Sequence, residues 1–166
     1  MSNVFYKRMP AGIAGDVTRR EHATIEPQMM NSAKPVKLYG VPVKMVNGKI
    51  EPINHSFDAA ASVYGFAVRP FPIQSAGGTG DAKGGGIPPV GLPLDILRRG
   101  YMTVKVQKGT PVKNATVYVR KDGGTDDYPV GGLECDSDTS NTIELTSVKF
   151  MGEADADGNV EISFNI

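Results

Sequence analysis

YMTVKVQKGTPVKNATVYVRK, residues 101–121, decides the fold class. Met102, Val104 and Val106 alternate with Thr103, Lys105 and Gln107, and after a turn at Lys108-Gly109-Thr110 the pattern resumes. Ala115, Val117 and Val119 then alternate with Thr116, Tyr118 and Arg120 until Asp122-Gly123-Gly124 ends the run. Successive side chains of a strand point to opposite faces, so a period of two marks a strand with one buried face.

The same reading extends outward. TIELTSVKFMG and NVEISFNI are joined across Asp157-Gly158, and Val160, Ile162, Phe164 and Ile166 share one face, which predicts a core strand at the C-terminal end. On the N-terminal side, VKLYGVPVKMVNGKIEPI (36–53) sets Val41, Val43 and Met45 on one face before Asn47-Gly48, a favoured hairpin turn. SVYGFAVRPF reads as a further strand of mostly buried residues, ending at Pro70. Helix is invited only at Ser56 to Ala61 and at Leu92 to Arg99, and neither stretch carries a full amphipathic repeat. Arg98-Arg99 reads as a charged turn before a strand. With 20 glycines and 12 prolines spread through 166 residues, long helices are disfavoured throughout. The expected fold is all-β, a compact barrel or sandwich of about seven to nine mostly antiparallel strands.

Residues 1–35 read differently. Pro10, Gly12, Gly15, Pro27 and Pro35, with charges at Asp16, Arg19, Arg20 and Glu21, predict an irregular arm holding at most one strand. Residues 36–166 then form a single β-rich domain, interrupted by a Gly/Pro-rich loop at 74–93.

That loop contains QSAGGTGDAKGGGIPP (74–89), with six glycines. It fails as a P-loop because Lys83 follows Ala82 rather than a glycine. It fails as a dinucleotide fingerprint because Lys83 stands where the third glycine belongs, and Gly84-Gly85-Gly86-Ile87-Pro88-Pro89 cannot open a helix to receive an anion. Glu153-x-Asp155-x-Asp157-Gly158 matches the start of a calcium loop, but the twelfth position is Phe164 in an alternating strand, so the segment reads as a polar hairpin turn. His22 and His55 form no metal-ligand pair, and Cys135 has no second thiol. Neither Cys135 nor the Asp136/Asp138 pair is accompanied by a catalytic signature. No catalytic, cofactor or metal site is therefore assigned.

Lysine plus arginine, 18, equals aspartate plus glutamate, 18, so no net field draws the chain to nucleic acid or to an anionic membrane. One cysteine excludes an internal disulfide framework, and the sequence contains no signal-peptide-like or membrane-spanning apolar run, which predicts a soluble, unexported product. A β domain of this kind fits a structural or binding protein.

The order AGIAGDVTRR, LYGVPVKMVNGKI, AAASVYGFAVRPFP, a Gly-rich break, DILRRGYMTVKV, ATVYVRK and DADGNVEISFNI resembles the structural cement, or capsid decoration, proteins of tailed bacteriophages. YGFAVRPFP (64–72) and DILRRGYMTVKV (95–106) are its most specific parts. The resemblance implies a non-enzymatic protein made in the bacterial host's cytoplasm and added to the outer surface of the head. There it would bridge major capsid protein subunits, typically as a homotrimer, without nucleic acid, membrane or cofactor. Composition nominates Arg19, Arg20, Gly78, Lys83, Ile87, Arg98 and Arg99 as capsid-contact candidates. The competing expectation is a β-sandwich module for carbohydrate or a host surface. It is disfavoured because sugar platforms present aromatic faces, whereas this chain has no tryptophan and its Phe and Tyr residues fall largely on apolar strand faces.

Overall fold

The computed structural model describes residues 11–54, 63–70 and 86–166. Among these, the elements are β1 (Thr24–Met29), β2 (Pro42–Val46), β3 (Lys49–Pro52), β4 (Gly65–Ala67), β5 (Pro93–Lys108), β6 (Thr116–Arg120), β7 (Leu133–Glu134), β8 (Thr142–Phe150) and β9 (Asn159–Phe164). The helical element of the described residues is one 3-10 turn, Arg20–His22. The all-β expectation therefore holds, with nine strands joined in one curled sheet, all but one of whose strand pairings are antiparallel.

The 16-residue strand β5 organises the molecule. Its first half takes β1 on one edge, from Thr24↔Arg99 to Met29↔Pro93, and β4 on the other, where Phe66 pairs with Leu97. Its second half pairs with β9, from Gly100↔Phe164 to Lys105↔Asn159, and in parallel with β7 at Val106↔Leu133. Gly100 stands between the halves at φ 135°, and a Cβ there would lie 3.0 Å from the Cα of Ala23. Only glycine serves at that crossing.

Beyond Gly100 the strands return on themselves. From β5 the pairing runs through β7, β6, β8 and β9 and back to β5, closing a C-terminal ring. The N-terminal half follows β5, β4, β2 and β3, and closes onto the end of β1 through the isolated Met30↔Ile50 bridge. Each ring has its own core. Met102, Val104, Val117, Val119, Val148, Phe150, Val160, Ile162 and Phe164 fill the C-terminal one, while Met30, Val36, Tyr39, Val43, Ile50, Leu94 and Ile96 fill the other. Phe66 meets Phe164 edge to face at 5.2 Å, which joins the halves.

The Asn47-Gly48 hairpin forms as expected, with φ 49° and 74° at its two central residues. Leu92 to Arg99 corrects the sequence reading. From Pro93 it is strand, not helix, with Leu92 in the bend before it, and Arg98-Arg99 lies within β5 instead of forming a turn before it. The cause is burial on both faces: Ile96 packs into the N-terminal core and its neighbour Leu97 into the C-terminal one. Consecutive burial at Ile96 and Leu97 breaks the period of two at that step, and Leu94 with Leu97 imitates helical spacing. The last strand also stops earlier than its alternation suggests. Val160, Ile162 and Phe164 are buried, but Asn165 turns at φ 55° and Ile166 is 57 % exposed. The proposed helical turn at Ser56 to Ala61 lies outside the described residues.

Residues 11–19 run along the β5 edge opposite β9, since Met102 pairs with both Val17 and Ile162. Gly15 donates to the Thr103 carbonyl at 2.8 Å, Thr103 donates to the Asp16 carbonyl at 2.9 Å, and Thr18 donates to the Tyr101 carbonyl at 3.2 Å. The buried Thr103 hydroxyl donates to the Ala11 carbonyl. The chain then makes its 3-10 turn over Gly100 and continues as β1.

Candidate functional site

Two arginines at the surface each pair with a glutamate while lying over a tyrosine ring, one near each ring of the fold. Arg19 grips Glu161 with two hydrogen bonds, 2.6 and 3.1 Å, and its guanidinium lies 3.9 Å over the ring of Tyr101. On the N-terminal half, Arg98 pairs with Glu26 at 2.8 Å and covers the Tyr64 ring at 3.7 Å. The Tyr64 hydroxyl donates to the same Glu26 at 2.6 Å and accepts from Gln28 at 3.0 Å. That hydrogen bond to Glu26 and partial burial hold the Tyr64 hydroxyl above its ordinary pKa. Both stations are internally satisfied. Their tyrosine faces are covered by arginine, so neither offers the open aromatic platform on which a sugar stacks.

The interior charges form a structural network. Arg120 and Glu134 are buried, paired at 2.6 and 3.1 Å, with Gln107 donating to Glu134 at 2.7 Å and Asp138 accepting from Arg120 at 2.9 Å. Fully partnered, the network fixes the 121–141 loops to β6 and β7 and leaves no free acid or base. The adjacent Cys135 thiol is pushed up to about 11, first by burial and then by the carboxylates of Asp136 and Glu134, so it is protonated at neutral pH and a poor nucleophile.

The calcium-like segment is a hairpin turn closed on itself. Asp155 accepts the backbone N–H groups of Asp157 at 3.0 Å and Asn159 at 2.9 Å through one oxygen, and that of Ala11 at 3.2 Å through the other. Partial burial works against its ionisation, but these donors outweigh it and hold the carboxyl below its ordinary range. Among the described residues no group of three His, Cys, Asp or Glu is arranged to hold a metal.

Of the seven contact candidates, Arg19 and Arg98 are committed to the stations just described. Arg20, in the 3-10 turn, and Arg99, in β5, are exposed, and among the described residues neither forms a salt bridge. Ile87 is 69 % exposed. Gly78 and Lys83 lie outside the described residues.

The structure adds a feature that sequence reasoning missed. Val90 and Leu92 are exposed beside Ile87, and Met29, also exposed, pairs in register with Pro93. The two turns touch, since a Cβ on Gly91 would lie 3.6 Å from the Ser32 hydroxyl. Pro88, in the same stretch, is buried. Ile87, Val90 and Leu92 are thus exposed in the stretch that leads into β5, and Met29 is exposed at the end of β1 paired with the start of that strand. The sequence did carry a signal, the prolines at 88, 89 and 93 bracketing Val90 and Leu92.

The model of the XM1 gp53 minor capsid protein family matches residues 1–164. Among solved structures, a chain from the capsid of Myoviridae phage XM1 shares the fold, with a TM-score of 0.71 over 99 % of this chain and 97 % of that one at 17 % sequence identity. No curated protein matches the chain in sequence. Because the family model spans all but the last two residues, the chain belongs to the XM1 gp53 minor capsid protein family.

Proposed function

We propose that the protein is a structural component of the phage virion, made in the host cytoplasm and added to the outer surface of the head. There it bridges neighbouring major capsid subunits as a homotrimer and performs no chemistry. The observation that carries this reading is the exposure of Ile87, Val90 and Leu92 in the stretch leading into β5, with Met29 exposed at the end of β1 opposite Pro93. Exposed apolar side chains gain free energy when a partner covers them. A shell component that binds the assembled lattice and not its separated subunits lowers the free energy of the lattice by mass action. Each copy need bind only modestly, because linked copies multiply weak contacts into firm retention. Family membership over nearly the whole chain supports the same reading.

The test is sedimentation with undecorated heads. The protein should pellet with them, and replacing Val90 and Leu92 by serine should weaken attachment at least several-fold while leaving the melting temperature unchanged. Full attachment of the doubly substituted protein would remove these side chains from the contact, and failure of the unsubstituted protein to pellet would end the proposal. Sedimentation equilibrium separately tests the homotrimer, which a monomer both in solution and on the head would refute.

A further inference from the structure

We infer that residues 11–19 are an exchangeable strand, and that the β5 edge at Tyr101–Thr103 accepts the same segment from a second copy of this chain. Three observations point there. First, the segment is held chiefly by directional polar contacts. Its backbone bonds Thr103 and Tyr101, the Arg69 N–H donates to the Gly15 carbonyl at 2.9 Å, and the Arg69 side chain donates to the Ala14 carbonyl at 2.9 Å. Thr18 and Arg19 close on Glu161, and Ala11 on Asp155. Of its side chains, only Val17 packs partway against the larger core.

Second, the fit is specific to this sequence. Gly15 is buried where a Cβ would come within 2.7 Å of the Tyr39 Cβ and 2.9 Å of the Arg69 Cβ, so the groove admits a glycine at that register. An identical segment from another copy meets every one of these requirements.

Third, the link to β1 is the 3-10 turn Arg20–His22, which buries no residue and has no side-chain cap. Straightening it breaks two backbone hydrogen bonds, His22 to Arg19 and Ala23 to Arg20, each 3.1 Å. The exchanged and unexchanged forms thus make the same contacts and differ at a short exposed hinge, which is the condition under which element exchange between protomers is inexpensive. Concentration then sets the balance, and copies crowded on a head would favour exchange. That last point rests on the function proposed above, whereas exchange in solution does not.

Two chains, each with Cys135 replaced by alanine, test the inference: one carries Val17→Cys and the other Met102→Cys, at positions that face each other across the strand pair. Co-refolded and oxidised, the mixture can form a 17–102 disulfide only between chains. A disulfide-linked dimer is expected, its yield rising about tenfold for a tenfold rise in concentration while it is the minor species. If only the single chain carrying both cysteines forms the bond, at every concentration and also on heads, the segment docks in its own chain and the inference falls. Because Met102 is a core residue, Thr18→Cys with Tyr101→Cys, joined by a short bismaleimide, repeats the test at the surface. Cross-linking in solution without attachment to heads would uphold exchange and refute the function proposal; attachment without cross-linking would do the reverse.

Discussion

The two rings share a strand but are closed by different means. In the C-terminal ring, strand pairing runs without a break from β5 through β7, β6, β8 and β9 and back to β5, around a core that includes three buried phenylalanines when Phe66 is counted with Phe150 and Phe164. Among the described residues, the N-terminal ring is held shut at the Met30↔Ile50 bridge and by a polar clasp. The buried Glu51 accepts from the Asn31 side chain at 2.6 Å and from Lys34 at 3.3 Å, while the Asn31 N–H donates to the Ile50 carbonyl at 3.0 Å. Both rings are filled by buried apolar side chains, but the first is closed by continuous strand pairing and the second by a few directional contacts, and the exposed Val90 and Leu92 lie beside that second half.

The sharpest test of this difference is a core truncation. Phe164→Ala should cost about 3 to 5 kcal/mol, because the fully buried ring leaves a cavity between the two halves, and deleting residues 162–166 should prevent folding altogether. A soluble truncation with a cooperative melt would show that the C-terminal ring does not need its last strand.

A smaller, confined effect is expected at the clasp. Glu51→Ala leaves the Asn31 amide without its acceptor, a loss of about 1 to 3 kcal/mol, and hydrogen exchange at the Asn31 amide should quicken while amides of β6 and β9 stay protected. Equal loosening of both rings would mean that they open as one unit.

Acid should probe the turn that ties residues 11–19 to the C-terminal ring. The folded Asp155 carboxyl is depressed, so its contribution is complete above the ordinary carboxylate pKa of about 3.9 and is lost as pH falls through the folded value. Asp155→Asn should therefore be less stable than the parent at neutral pH, with the gap narrowing below about pH 4. A gap that stays constant with pH would show that the carboxyl's charge plays no part in holding the turn.

The least effect on stability is expected at the exposed apolar side chains before β5. Val90→Ser and Leu92→Ser should each change the free energy of unfolding by no more than about 0.5 kcal/mol in a denaturant titration, since neither side chain is buried in the free protein. A larger loss would place them in the N-terminal core.

How legible each ring was in the sequence follows from the same difference. The C-terminal strands bury one face each, so Met102 to Val106, Val117 to Val119 and Val160 to Phe164 announce themselves by alternation. The first half of β5 alternates from Pro93 to Ile96, but Leu97 is buried directly after Ile96 beside the irregular pairing with Thr24 and Ile25, and that single break obscures the strand pattern. The hydrogen bonds of residues 15–18 to Tyr101 and Thr103 left no readable signal, because backbone pairing leaves little mark on residue choice. Of the candidate surface, Ile87 was legible as an exposed apolar residue beside prolines. Arg19 and Arg98 were legible as charges only. Their partners Glu161 and Glu26 lie 142 and 72 residues away in the chain, a distance no local pattern spans.

Gly100 gives the protein a mechanical property. Since β5 is one covalent strand running from the first ring into the second, a pull that separates the rings travels along its backbone instead of across a side-chain interface. Around the crossing, β5 is flanked on both edges, by β1 and β4 before it and by β9 and residues 11–18 after it. Sliding it out would load many of these hydrogen bonds together instead of one after another, and the rate of forced unfolding is set by that barrier. The place to soften that resistance is the N-terminal ring's bridge at Met30 and Ile50.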